Sequence, residues 1–163
     1  MSPAGRDRDA AGRPRSARPR DAAGRPLPRG AAGISPVPDE PPGPPGAVIE
    51  AAQRLLDDGR PFAAHEVLEA AWKAAPEPER QLWRGLAQLA VGLTHAQRGN
   101  RRGAVALLER GAAGIEPYAD RPPHGLDIAG VIVAARRIAG EQAAGDQPAG
   151  PPALRLSGGA GRA

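Results

Sequence analysis

The chain has 163 residues, room for one ordinary domain, and its 22 glycines and 20 prolines gather toward its ends. Residues 1–46 carry eight Arg against five acidic groups and residues 144–163 two Arg against one Asp, so the tails hold the whole formal charge of +4; residues 47–143 balance twelve basic against twelve acidic groups. A neutral middle argues against nucleic-acid binding by the folded part. The lack of cysteine removes disulfides, thiolate metal sites and a cysteine nucleophile, and no run of 18 apolar residues suggests a membrane span.

Residues 1–46 alternate Arg, Ala, Gly, Pro and Asp with almost no large apolar residue, and read as a disordered tail. Its arginines would give weak, salt-sensitive contact with nucleic acid or anionic lipid, unless they only mark a compositional background. It holds no apolar segment of the kind a signal peptide needs, so the expected compartment is cytoplasmic.

Helical periodicity dominates residues 47–143, and nothing alternates with period two. A first helix is predicted from about Ala47 to Asp58, stopped by Gly59, and a second from Pro61 to about Ala74. Pro78 and Glu79 open a third, reaching Arg98; Gly99-Asn100 marks a turn. A fourth runs from about Arg101 to Ala113 and, after a Pro-rich loop holding an exposed His124, a fifth from about Leu126 to Gly140. Residues 144–163 return to a disordered composition. The expected fold is all-α: a compact antiparallel bundle of about five helices, two hairpins plus a C-terminal helix, between disordered tails.

An offset of 40 residues pairs Gly59 with Gly99, Ala64 with Ala104, Leu68 with Leu108 and Glu69 with Glu109. A glycine frees each turn and a small alanine lets the paired helices approach, so the echo is read as two helical hairpins. The 34-residue tetratricopeptide period does not fit it.

The chemistry-bearing residues fall on the second and third helices. His65, Glu69 and Trp72, at i, i+4 and i+7, share one face, with Glu66 beside them. On the third helix Gln88 and His95 lie seven apart near Gly85 and Gly92, glycines that would let another helix approach and enclose them. Three readings compete. Carboxylate, imidazole and amide satisfy one another and fix helix register; or His65, Glu69 and His95 hold a divalent metal such as zinc, iron or manganese; or the acidic pair and His95 contact a cationic or hydrogen-bonding partner. Acid-base hydrolysis by Glu66 or Glu69 with His65 is the least favoured outcome.

The motifs Phe62-x-x-His65-Glu66-x-x-Glu69-x-x-Trp72, Gly85-Leu86-x-Gln88-Leu89-Ala90 and His95-x-x-Arg98-Gly99-Asn100-x-x-Gly103-Ala104 resemble the small bacterial and archaeal all-helical family known as domain of unknown function number 309. The resemblance spans roughly residues 47–118 and implies a compact helical fold without an assigned activity. His65, Glu66, Glu69, Trp72, Gln88 and His95 stand at its motif positions. Ala63 and Ala64 depart from it where an acidic or bulky residue is expected. The favoured reading is a non-enzymatic binding or interaction module whose partner is a small molecule, a protein or a second copy of the chain. The alternative is a metal-dependent, hydrolase-like enzyme using His65, Glu69 and His95, which requires the two histidines to approach within ligand reach.

Overall fold

Proline opens and glycine closes much of this architecture. The computed structural model describes residues 19–21, 23–28, 31–33, 40–146, 150 and 152–158. Its five helices run α1 (Pro45–Asp57), α2 (Pro61–Ala74), α3 (Glu77–Gln97), α4 (Arg101–Ile115) and α5 (Ile128–Ala144). Proline stands in the first turn of α1, α2 and α3, where its missing N–H costs no intrahelical bond. Among the described residues extended pairing is limited to two isolated bridges, and no helix is long and apolar enough to cross a membrane. The all-α expectation holds.

The 40-residue echo is present in the backbone itself. Gly59 N–H donates to the Leu56 carbonyl and Arg60 N–H to Leu55; Gly99 donates to Ala96 and Asn100 to His95. Both are Schellman turns, with the glycines at φ +68° and +78°, a region most L residues avoid. Ala64, Leu68, Ala104 and Leu108 are all buried behind them. The Gln97 side-chain amide donates to the Gly59 carbonyl at 2.9 Å, fastening one turn to the other.

α3 packs on α2 and, most extensively, on α4. A Cβ at Gly85 would stand 2.6 Å from Ile115 Cγ2 and one at Gly92 2.8 Å from Leu108 Cγ, so these glycines let α4 seat closely. Leu82, Leu86, Leu89 and Leu93 are buried in the shared core. Gln88 and His95 lie off that contact and are half-buried, not enclosed as expected.

The start of α5 also differs from expectation. Asp127 is its N-cap, its Oδ1 accepting from Gly130 N–H at 3.0 Å, and Leu126 before it pairs with Ser157. The helix begins two residues later than the apolar pattern suggests and continues to Ala144.

Residues 152–158 depart from the picture of a tail that packs on nothing. Leu154 and Leu156 are 3% and 1% exposed and belong to the main core. The Gln53 amide on α1 holds this segment on either side of Arg155, Nε2 donating to the Leu154 carbonyl and Oε1 accepting from Leu156 N–H at 2.8 Å. Asp127 N–H donates to the Leu156 carbonyl at 2.9 Å. Two leucines at alternate positions suffice, since burying each stabilises by about 1.5–3 kcal/mol. Within residues 1–46, positions 1–18, 22, 29–30 and 34–39 lie outside the described residues, as do 147–149, 151 and 159–163 toward the C-terminus.

Candidate functional site

The polar stripe of α2 runs through Phe62, His65, Glu66, Glu69, Trp72 and Lys73. His65 Nε2 lies 3.3 Å from Glu69 Oε2, and Lys73 Nζ lies 3.0 Å from Glu69 Oε1. The one carboxylate therefore serves an imidazole on one oxygen and an ammonium on the other. His65 Nδ1 is buried and turns toward the Phe62 carbonyl without reaching hydrogen-bond geometry. Burial holds the imidazole below the ordinary histidine value, and Glu69 offsets this only in part, so the neutral ring is favoured. Glu66 is half-buried beside it.

The facing edge of α3 carries Arg84, Gln88, His95 and Arg98. Arg84 lies over the Trp72 ring at 5.8 Å, which ties the far end of the strip. His95 is held differently from the sequence expectation. Its Nδ1 accepts from Asn100 Nδ2 at 3.0 Å, while Asn100 Oδ1 accepts from Gly103 N–H and caps α4. That second bond fixes which way the amide points, so Nδ1 is the acceptor and the neutral ring carries its proton on Nε2. The His95-to-Gly103 motif is thus a turn-and-cap assembly.

These contacts bear on the metal reading. His65 and His95 reach different first partners, and Lys73 already neutralises Glu69. Among the described residues no group of three or more His, Asp and Glu side chains is arranged to hold a metal ion. The residues present do not fit that group, and the approach of His65 to His95 within hydrogen-bond reach is not found.

At its other end the strip carries something the sequence did not reveal. Residues 19–21 and 23–28 form a short arm in which Asp21 Oδ1 accepts from Ala23 and Arg25 N–H, both at 2.9 Å, and Leu27 N–H donates to Pro19. This arm sits on Phe62. Arg20 and Arg98 place their guanidiniums 5.2 and 5.8 Å from the centre of the ring, Gly24 rests against it, and any Cβ there would overlap it. Arg98 Nε donates to the Ala23 carbonyl at 2.7 Å, and Arg25 Nη2 to the Arg98 carbonyl at 3.4 Å. The Phe62 ring also contacts that of His65 at 5.6 Å.

A second unforeseen cluster closes the opposite end of the bundle. His124 Nε2 stands 2.9 Å from both oxygens of Glu79, its ring stacks on that of Trp83, and Trp83 Nε1 donates to Glu79 at 3.3 Å. The His124 hydrogen bond holds the Glu79 carboxyl below its ordinary value. The backbone of His124 is exposed, as expected of the loop, but its side chain is only 25% exposed. Its φ of +57° is unusual for a non-glycine residue and is kept by this contact set. No periodicity announces such a residue.

Fold and face together define an all-helical bundle whose motif-bearing strip lies along α2 and α3. Residues 49–107 match the family described as Domain of unknown function (DUF309), and over them the chain is similar to that family. The match takes in the strip from Phe62 to Arg98 and the cap at Asn100; the arm, His124 and α5 lie outside it. No curated protein and no solved structure matches the chain.

Proposed function

We propose that this chain is a non-enzymatic interaction module whose α2–α3 face receives an extended, arginine-bearing peptide segment. The observation that carries the reading is the seating of Arg20, Ala23 and Gly24: an arginine on an aromatic face, a glycine pressed to the ring and a backbone carbonyl taken by Arg98. These are general devices of peptide recognition, in which main-chain bonds supply affinity and one side-chain pocket supplies selectivity. His65, Glu66, Glu69, Trp72, Gln88 and His95 continue the strip beyond the arm, and Phe62 and Arg98 anchor it. In this reading the arm is a ligand held in cis, which a partner segment of similar chemistry displaces.

The test uses a labelled peptide of residues 17–30 and fluorescence anisotropy. Arg20→Ala weakens the resident arm in the full chain, so this variant is expected to bind the peptide more tightly than the wild type. Adding Phe62→Ala or Arg98→Ala to it should remove binding. Equal binding with and without Phe62 would overturn the reading.

A further inference from the structure

We infer that the chain carries a second, separate binding site, for a free apolar α-amino acid or a zwitterion of the same form, in the cavity between its two glycine turns. The cavity measures about 370 Å³, within the range of small-ligand pockets and far above the roughly 10–15 Å³ that admits one water. Its floor is apolar, made by Leu56 and Leu93 with Pro61, and Pro152 of the C-terminal segment stands at its edge.

Three polar residues line it. Gln142 on α5 is 7% exposed, yet among the described residues its side-chain amide meets no hydrogen-bond partner. Arg101, in the first turn of α4, and Asp146, just past α5, also line the cavity, and among the described residues neither has an ion-pair partner. The Arg101 guanidinium lies over Gly145, 2.9 Å from where a Cβ would stand, so the α5 stop at Gly145 keeps space for it.

A guanidinium, a carboxylate and an amide around an apolar floor match a molecule with a carboxylate, an ammonium and an apolar side chain. A fatty acid would leave Asp146 opposed, and a simple amine would leave Arg101 without a partner. The cavity uses none of the α2 stripe residues, so this site stands or falls apart from the peptide face.

Isothermal calorimetry on the full chain tests it, with leucine as the probe beside its deaminated and decarboxylated analogues, 4-methylpentanoate and 3-methylbutylamine. Saturable binding of leucine is expected, with each analogue weaker by about tenfold or more. Arg101→Ala and Gln142→Leu should each weaken leucine by a similar factor while circular dichroism stays unchanged. If Gln142→Leu fails to fold, the exposed Arg101→Ala carries the test alone. Equal binding of either analogue overturns the zwitterion assignment, and unchanged affinity in the variants overturns the location. No saturable binding of leucine, isoleucine, valine, methionine or phenylalanine overturns the site.

Discussion

His65 sits where two opposing effects meet, burial against a carboxylate, and burial prevails. Its folded value lies below the ordinary histidine value of 6.5, so between the two the unfolded chain binds more protons than the folded one. Stability is then expected to be full above pH 6.5 and to fall as pH drops through the window beneath it. Glu79, held down by His124, adds a second loss below its ordinary value of 4.5. Urea unfolding across this range should show the upper part of the decline flattened in His65→Gln; an unchanged slope would assign it to other groups. Asn100 does two jobs at once, capping α4 and fixing the His95 ring. Asn100→Ala should therefore cost about 1–2 kcal/mol in the unfolding midpoint. The pairing of His65 with Glu69 was legible from i, i+4 spacing alone. The destination of His95 was not, because it depends on the Asn100 amide five residues downstream, whose orientation Gly103 sets.

Between residue and bundle lie the turns and caps, and here local chemistry was a good guide wherever it was the deciding force. Pro61 and the end of α2 at Ala74 were readable to the residue, and the Gly59 and Gly99 turns repeat each other bond for bond. The guide failed at α5, where the apolar Leu126 suggested a helix start while the Asp127 carboxylate and Gly130 N–H made the cap. It failed again at residues 152–158, whose proline- and glycine-rich setting hid two core leucines. Periodicity detects an apolar face only when it repeats, and Leu154 and Leu156 occur once. Leu156→Ala is expected to cost about 2–5 kcal/mol by leaving a cavity in the main core, read as a lowered urea midpoint. A midpoint within experimental error of the wild type would mean the segment contributes nothing to the fold.

At the scale of the whole molecule, the two proposed sites gather at the end of the bundle that carries the glycine turns. The strip along α2 and α3 is occupied at Phe62 by the chain's own arm, and the cavity is lined by Gly59 and Gly99 of the two turns. The net positive charge also acquires a place: Arg20 and Arg25, which composition alone assigns to a solvated tail, meet Phe62 and the end of α3. Composition could not disclose this, since an arm of arginine, alanine and glycine has no hydrophobic pattern and is held by one aromatic ring and by hydrogen bonds with Arg98. Gly24 is the point where that docking is most exposed to change, because a side chain there would collide with the ring. Phe62 is the sole phenylalanine of the chain, so 4-fluorophenylalanine gives one ¹⁹F resonance that reports on the arm directly. Gly24→Leu should move this resonance to a new position, and excess peptide of residues 17–30 should move the Arg20→Ala signal back toward that of the wild type. A resonance indifferent both to Gly24→Leu and to the peptide would contradict the claim that the α2–α3 face binds peptide.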